Sequence, residues 1–191
     1  MSRGISLVVV EGALEVPASL KLLRALGIST EGIHPIDKGG REGFWRDAPK
    51  YSRAAAVLGP VLGLTDLQGH PCPSGLIATH LKRGKHRDFV LRIAERMLES
   101  WLLADATTLA KYLRVSPSLF PANPDAEVYP KRTLVNLARR CPSRSLKDDL
   151  VPEQDFPSSP PIHRSKTVTF ATISLPPSAP KTWPKKVDSL S

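Results

Sequence analysis

Three acidic side chains directly follow apolar segments that are predicted to be β-strands. Glu11 follows the run "LVVV", Asp66 follows "VLGLT", and Glu95 follows "FVLRIA". Because ligands of an open α/β sheet gather outside the carboxyl ends of its strands, acids at these positions can meet around one ligand. Glu99 lies four residues after Glu95 and can share a helical face with it. Gly12 has no side chain, so the backbone beside Glu11 can approach a ligand closely.

Converging carboxylates favour a divalent cation between them. Such groups raise one another's pKa, and they stay ionised at neutral pH mainly when a cation separates them. Hard oxygen ligands with open positions suit Mg²⁺ or Mn²⁺, which can polarise a phosphoryl oxygen or supply a hydroxide nucleophile. If the first and third strands are neighbours, Glu11 and Asp66 are candidate metal ligands and catalytic residues. The simpler interpretation is that they are ordinary polar residues at strand ends.

A basic segment, "KRGKHR" at residues 82–87, is a candidate contact for nucleic acid. Its Lys82, Arg83, Lys85 and Arg87 can contact the phosphate backbone of DNA or RNA. The net charge of +9, from 27 Lys+Arg against 18 Asp+Glu, also favours anionic partners. A solvated loop is the alternative interpretation.

Other site types receive little support from the sequence. His70 and Cys72 in "GHPC" lack the repeated, paired spacing of zinc ligands. There is no P-loop and no G-x-G-x-x-G motif. Cys72 and Cys141 are too few for a disulfide framework and are expected to be free thiols in a reducing cytoplasm. No apolar stretch approaches the roughly 18 to 20 residues of a membrane span.

The elements that must position the acids alternate along residues 1–152. Strands are predicted in "ISLVVV", "TEGIHPI", "GPVLGLTD" and "FVLRIA", and helices in "PASLKLLRALG", "EGFWRDAPKYSRAAAVLG", "SGLIATHLKRG", "ERMLESWLLADATTLAKYL" and "YPKRTLVNLARR". Pro49 is expected to break or start the second helix, and Asp105 to cap a new helix after a bend. This order predicts an α/β domain with a mainly parallel sheet flanked by helices.

Residues 153–191 are predicted to be a Pro/Ser-rich tail, irregular or disordered. Residues 151–191 hold 8 of the 19 prolines of the chain. Proline lacks an amide donor and clashes with the preceding helical turn, so this composition does not sustain a helix. The segment "KTVTFATISL" at 166–175 could form one strand, without an obvious partner.

Several segments resemble the bacterial family DUF4276, which is similar to the Toprim-like fold of topoisomerases, primases and OLD-type nucleases. They are "VVVEGALE", "LGLTDLQGHPC", "RIAERMLESWLLADATTLAKYL", "YPKRTLVNLARR" and "DDLVP". The resemblance covers roughly residues 5 to 152, and its most specific part is "E-x-W-L-L-A-D" at residues 99–105. It implies a Toprim/Rossmann-like sheet. It also implies an aromatic-containing helix after "LVP" that the tail does not supply.

The resemblance also implies roles for individual residues. In Toprim domains a glutamate ends the first strand, a D-x-D follows a later strand, and together they hold Mg²⁺. Glu11 matches the glutamate, Glu15 the second acid just after it, and Asp66 the first aspartate. Gln68 stands at the second aspartate position, where an amide brings no charge. Glu99 could replace the missing ligand.

The implied function is a Mg²⁺-dependent or Mn²⁺-dependent nuclease or a related phosphodiester-cleaving enzyme. Such proteins often belong to phage-defence or mobile systems, which is an analogy at the level of the class. No tyrosine is placed to suggest a topoisomerase, so hydrolysis is favoured over strand passage. The alternative is a noncatalytic module that binds nucleic acid or another partner and retains the fold, and Gln68 is the residue that favours it.

Overall fold

A computed structural model describes residues 4–151, apart from the side chain of Asp149, so the predictions for residues 153–191 lie outside its range. The strands are β1 (Leu7–Val10), β2 (Ile36–Asp37), β3 (Val61–Asp66) and β4 (Phe89–Ala94). The helices are α1 (Glu15–Ala25), α2 (Arg41–Leu58), α3 (Pro73–His80), α4 (Leu98–Ala104), α5 (Ala106–Leu113), α6 (Pro130–Arg139) and α7 (Arg144–Leu150). Short 3₁₀ turns lie at Pro117–Leu119 and Pro124–Ala126. Across the described residues, every helix is too short or too polar to cross a membrane.

The four strands form one parallel sheet in the order β2-β1-β3-β4, which confirms the predicted α/β fold. The chain leaves β1 towards β2 on one side and then returns across β1 to β3 on the other. This reversal makes a topological switch point between β1 and β3. In open α/β sheets the ligand crevice lies outside the carboxyl ends of the strands at such a point.

Both faces of the sheet are covered by helices. Val8, Val10 and Leu64 belong to a core shared with α1, α4, α5, α6 and α7. Val9 and Val61 belong to a second core, on the other face, shared with α2 and α3. Since successive strand residues point to opposite faces, a strand buried on both sides must be apolar throughout. The uninterrupted run before Glu11 is explained in this way.

Helix α2 continues past Pro49, so the predicted break there is wrong. An internal proline costs about 3 kcal/mol, because it removes a helical hydrogen bond and crowds the preceding turn. Phe44, Trp45 and Ala48 are buried before the proline, and Ala55 is buried after it. Burial of one large apolar side chain contributes about 1.5–3 kcal/mol. Packing against the sheet therefore outweighs the local preference of proline.

Two other elements differ from the sequence expectation, and one cap agrees with it. Strand β2 has only two residues, and α7 was not predicted. It begins after Ser143, whose hydroxyl accepts a hydrogen bond from the Leu146 amide at 3.4 Å. Asp105 caps α5 as predicted, accepting from the Thr108 amide at 3.3 Å.

The Gly63→Ala substitution is expected to destabilise the central strand. A Cβ at Gly63 would lie 2.9 Å from Leu91 Cδ1 and 3.0 Å from Phe89 Cε2, inside the second core. Overpacking of this kind costs about 1–3 kcal/mol. Urea unfolding followed by circular dichroism measures the loss. Gly4→Ala is the control, because a Cβ there meets no described atom within 4 Å, and equal unfolding free energies for the two variants would contradict the expectation.

Candidate acidic site at the carboxyl edge of the sheet

The residues predicted to hold a metal all line one cavity at the switch point. Its volume is about 180 Å³. The predicted residues in its wall are Glu11, Glu15, Asp66, Gln68 and Glu99. The four acids are between 4% and 7% exposed. The expected convergence of Glu11 and Asp66 is found, since the Asp66 amide lies 3.3 Å from Glu11 Oε2.

Strand register and helix starts bring these acids together. The Glu11 amide donates to Leu64 O at 3.0 Å, which aligns Glu11 with the last residues of β3. Asp66 is the final residue of β3, Glu15 begins α1, and Glu99 lies in the first turn of α4. Helix N-termini carry partial positive charge, which favours acids there. The parallel sheet thus gathers both the acids and the helix ends that accommodate them.

Glu11 is fixed by three hydrogen-bond donors. Thr65 Oγ1 donates to Glu11 Oε2 at 2.5 Å, and the Asp66 amide donates to the same oxygen. Gln68 Nε2 donates to Glu11 Oε1 at 3.0 Å. The amide of Gln68 therefore serves as a donor to an acid at the position where the resemblance expects a second aspartate. Thr65 was not predicted, because a threonine within an apolar strand does not by itself indicate a site.

Asp66 is held at both its side chain and its backbone. The Leu98 amide, at the start of α4, donates to Asp66 Oδ1 at 2.9 Å. Arg41 Nη1 donates to the Asp66 carbonyl oxygen at 3.0 Å. Burial raises the pKa of Asp66 well above its usual range, and the charges of Glu15, Glu99 and Glu11 raise it further.

The pKa values of Glu15 and Glu99 are also raised. Burial raises the pKa of Glu15 to about 7, against a partial offset from its backbone hydrogen bond, and the Glu11 and Glu99 charges add to the rise. Burial also raises the pKa of Glu99, while the nearby Lys131 ammonium opposes that rise. The cavity therefore binds protons near neutral pH unless another cation replaces them.

The donor chemistry of the cavity fits a hard divalent cation. Its acids and Gln68 provide carboxylate and amide oxygens, which are ligands suited to Mg²⁺ or Mn²⁺. Within residues 4–151, however, no three or more Asp, Glu, His or Cys side chains are arranged to hold a metal ion as they stand. Glu11 was predicted to be a metal ligand, and that role stays a prediction. Its three hydrogen bonds make it the most engaged of the four acids, so Glu15, Asp66 and Glu99 are the side chains freer to reorient towards an ion.

Lys131 belongs to this cavity, although sequence reasoning did not connect it with the acids. It lies in the first turn of α6, and its Nζ is 3.9 Å from Glu99 Oε1. Packing of α6 against α4 brings these two residues together from distant parts of the chain. Gly12 also lines the cavity, and a Cβ there would lie 3.2 Å from Glu15 Oε2, so a larger residue would crowd that carboxylate.

Glu95 does not join the acidic site, so its predicted shared face with Glu99 is wrong. Glu95 is exposed in the turn after β4 and does not line the cavity. Arg96 has a positive φ of 57°, and α4 begins only at Leu98. The chain therefore turns between the two acids, and helical spacing does not relate them.

The basic segment lies at the opposite edge of the sheet from the acids. Lys82, Arg83, Lys85 and Arg87 precede the first residue of β4, whereas the acids lie at the carboxyl ends of the strands. The six residues of β4 separate these two levels by roughly 16 Å of strand rise. The basic segment therefore does not border the acidic cavity.

Lys85 is engaged with the edge strand rather than with solvent alone. Its Nζ donates to Phe89 O at 2.8 Å, and Arg92 Nη1 donates to Leu91 O at 3.2 Å. Alternate carbonyls of an edge strand point away from its neighbour and need other partners. Burial, with a smaller contribution from Arg92, lowers the pKa of Lys85. This lysine is thus a structural residue of the edge.

Both cysteines are unpaired, as expected. Cys72 is exposed and caps α3, with its Sγ accepting from the Gly75 amide at 3.3 Å. The imidazole Nδ1 of His70 lies 2.9 Å from the Cys72 carbonyl oxygen. This contact involves the backbone rather than the thiol, so the two residues do not form a nucleophile–base pair.

The Glu15→Gln substitution is expected to stabilise the protein at alkaline pH. Between pH 4.5, the ordinary pKa, and about 7, the folded state binds more protons at Glu15 than the unfolded state. The free energy of unfolding of the native sequence therefore falls as pH rises through this window, by about 3 kcal/mol from Glu15 alone. The glutamine variant lacks this loss. It should match the native protein near pH 4.5 and exceed it at pH 8.

Urea unfolding in EDTA at pH 4.5, 6, 7 and 8 measures this difference. Glu31→Gln is the matched control, because Glu31 is exposed and lies outside the cavity. Parallel stability curves for the native protein and the Glu15→Gln variant would show that Glu15 is ionised in both states throughout this range.

In comparisons with protein-family models, curated proteins and solved structures, the chain has no match. The resemblance to DUF4276 and to Toprim-like domains, with the nuclease activity that it implies, therefore stays a prediction from the sequence. The parallel α/β sheet and the buried acidic cavity rest on the structure itself.

Proposed function

We propose that this protein is a Mg²⁺-dependent or Mn²⁺-dependent phosphodiesterase of the Toprim-like class, acting as a nuclease on DNA or RNA. One observation carries the proposal. Glu11, Glu15, Asp66 and Glu99 are buried together in one cavity at the switch point of a parallel sheet. Buried acids that only raise one another's pKa lower the stability of a fold. A bound cation would offset the repulsion between the carboxylates, and the same groups would then bind the ion.

Each side chain of the cavity has a separate task in this proposal. Glu15, Asp66 and Glu99 would hold the ion, while Glu11 keeps Thr65 and Gln68 in place through its hydrogen bonds. The bound ion would supply Lewis-acid chemistry at a phosphoryl oxygen and a water of lowered pKa.

Two of these groups can also move or balance charge. Without an ion, the Glu15 carboxyl has a pKa of about 7 and is partly protonated at neutral pH, so an incoming ion would displace its proton. Lys131 lies on the cavity wall and can balance negative charge on a phosphate.

Charge supports a nucleic acid as the substrate. The net charge of +9 creates a field that attracts polyanions before any contact forms. Lys82, Arg83 and Arg87 are exposed and contribute to this field from the far edge of the sheet. A cytoplasmic location, expected from the two free thiols, and a role in phage defence, an analogy at the level of the Toprim-like class, belong to the same proposal.

A noncatalytic nucleic-acid-binding or interaction module is the second candidate, and one contact favours it. Gln68 replaces an expected acid, and its amide donates to Glu11 Oε1 at 3.0 Å. A hydrogen-bond donor at this position offsets part of the negative charge of Glu11, which a metal ion would otherwise offset. A chain that had lost catalysis would be stabilised by such a replacement.

Titration with Mn²⁺ or Mg²⁺ at pH 7 is expected to raise the unfolding temperature and to release protons. Ion binding requires ionised carboxylates, so Glu15, with its pKa of about 7, should release about half a proton at this pH. Isothermal titration calorimetry in buffers of different ionisation enthalpy counts the protons. Affinity should increase from pH 6 to pH 8.

The same preparations are assayed for cleavage of single-stranded and double-stranded DNA and RNA with Mn²⁺. Asp66→Asn should abolish both ion binding and cleavage, and Glu31→Gln should change neither. Retention of nucleic acid without any metal dependence would replace the enzyme by the noncatalytic module.

The Gln68→Asp substitution distinguishes the enzyme from the noncatalytic module. In the enzyme, it should change the stability in opposite directions without and with a metal ion. In EDTA it should lower the free energy of unfolding by about 1–3 kcal/mol, because Glu11 loses a donor and gains a charged neighbour. With Mn²⁺ the variant should gain more stability than the native protein, since the new carboxylate adds a ligand. Thermal melting with and without Mn²⁺ measures both changes. An unchanged response to Mn²⁺ would remove residue 68 from the metal site.

A further inference from the structure

A second and larger cavity lies between α2 and the loop that follows α3. Its volume is about 700 Å³, within the usual size of small-ligand sites. From α2 it is lined by residues one helical turn apart, Pro49, Ser52, Arg53 and Ala56, and from the loop by residues 80–86. We call this cavity the basic groove.

The charged side chains of the basic groove carry one sign. Arg53, Lys82 and Arg83 are exposed on its wall, and its lining contains no Asp or Glu among the described residues. Lys85 also lines the groove, but its ammonium donates to the carbonyl oxygens of His86 and Phe89. Three cations on two facing elements therefore remain to meet an anion, which is the arrangement that favours a phosphate group.

Part of the groove wall is suited to a flat, apolar group. Leu81 is buried in its wall, and Pro49 and Ala56 provide further apolar surface. His80 lines the groove and stacks on Trp45, with ring centroids 4.6 Å apart and an interplanar angle of 22°. Burial, followed by the charges of Arg41 and His70, lowers the pKa of His80, so its ring is neutral at pH 7. A neutral ring backed by an indole is a stacking surface for a base.

We propose that the basic groove binds one nucleotide unit, with its phosphate against Arg53, Lys82 and Arg83 and its base against His80 and the apolar wall. The unit is either a free nucleoside monophosphate or part of a single strand, which share this chemistry. A double helix hides its base faces, so it cannot use the His80 ring in this way.

This site is distinct from the acidic cavity and does not require the proposed hydrolysis. The loop residues of the groove precede the first residue of β4, whereas the acids lie at the carboxyl ends of the strands. Binding in the groove needs no divalent cation, so it persists in EDTA. If the acids prove not to bind a metal ion, the inference about the groove still stands. If the groove proves not to bind a nucleotide, the proposed metal site still stands.

The test measures binding of fluorescein-labelled hexathymidylate by anisotropy, in EDTA at low salt. Arg53→Ala combined with Arg83→Ala should weaken binding at least tenfold. The charge-matched control is Lys111→Ala combined with Arg140→Ala, on the exposed surface of helices that pack against the opposite face of the sheet. It should change affinity by no more than about threefold, which is the general effect of lost net charge.

Substitutions of His80 test the stacking surface. His80→Ala should weaken hexathymidylate binding about fivefold or more, and His80→Phe should restore it, since a phenyl ring also stacks on a base. Both changes should leave competition by inorganic phosphate unaltered, because the phosphate contacts are made elsewhere in the groove. Circular dichroism confirms that each variant is folded.

Competition identifies the source of the nucleotide. If thymidine monophosphate displaces the labelled hexathymidylate at a concentration close to that of the hexathymidylate, the groove binds free nucleotides. If thymidine monophosphate does not displace it and hexathymidylate still binds, the groove binds single strands. Three results overturn the proposal: no binding of either ligand, equal losses in the groove variant and its control, or inorganic phosphate competing as well as thymidine monophosphate.

Discussion

Four carboxyl groups are buried in one cavity at the carboxyl edge of a parallel sheet, and the proposed chemistry depends on them. Glu11, Glu15, Asp66 and Glu99 are held there by strand register and by helix starts, and each has lost most of its contact with water. Such a cluster is stable only if protons, hydrogen-bond donors or cations offset the repulsion. The described structure uses all three: raised pKa values at three of the acids, three donors on Glu11, and Lys131 beside Glu99.

The cost of this cluster is the physical argument behind the proposed metal site. Apolar residues of similar volume at these positions would give a more stable core, since a buried charged group rarely repays its loss of hydration. Strain and unfavourable electrostatics persist mainly where function requires them. By contrast, Asp47 is also buried but is paired with Lys38 and Lys50, which hold the pKa of Asp47 well below its usual range. That acid is satisfied within the fold.

Much of the fold could be predicted because its signals are local. The apolar run before Glu11, the acid at the end of β3 and the Asp105 cap each depend on a few neighbouring residues. The convergence of Glu11 with Asp66 followed from one topological rule, which places ligand sites beyond the carboxyl ends of parallel strands. The resemblance added Glu15 and Gln68, and it gave Glu99 a role as a replacement ligand.

What the sequence did not predict depends on tertiary packing. Pro49 stays inside α2 because residues on both sides of it are buried against the sheet. Lys131 reaches Glu99 only through the packing of α6 on α4. Lys85 was expected to bind phosphate, yet an open strand edge needs its ammonium. Lys85 and Arg83 show why a run of basic residues cannot be treated as one surface. Lys85 binds the edge strand, whereas Arg83, two residues earlier, lies on the groove wall. A polyanion bound at this end of the sheet would therefore be held by only some of the charges that attract it.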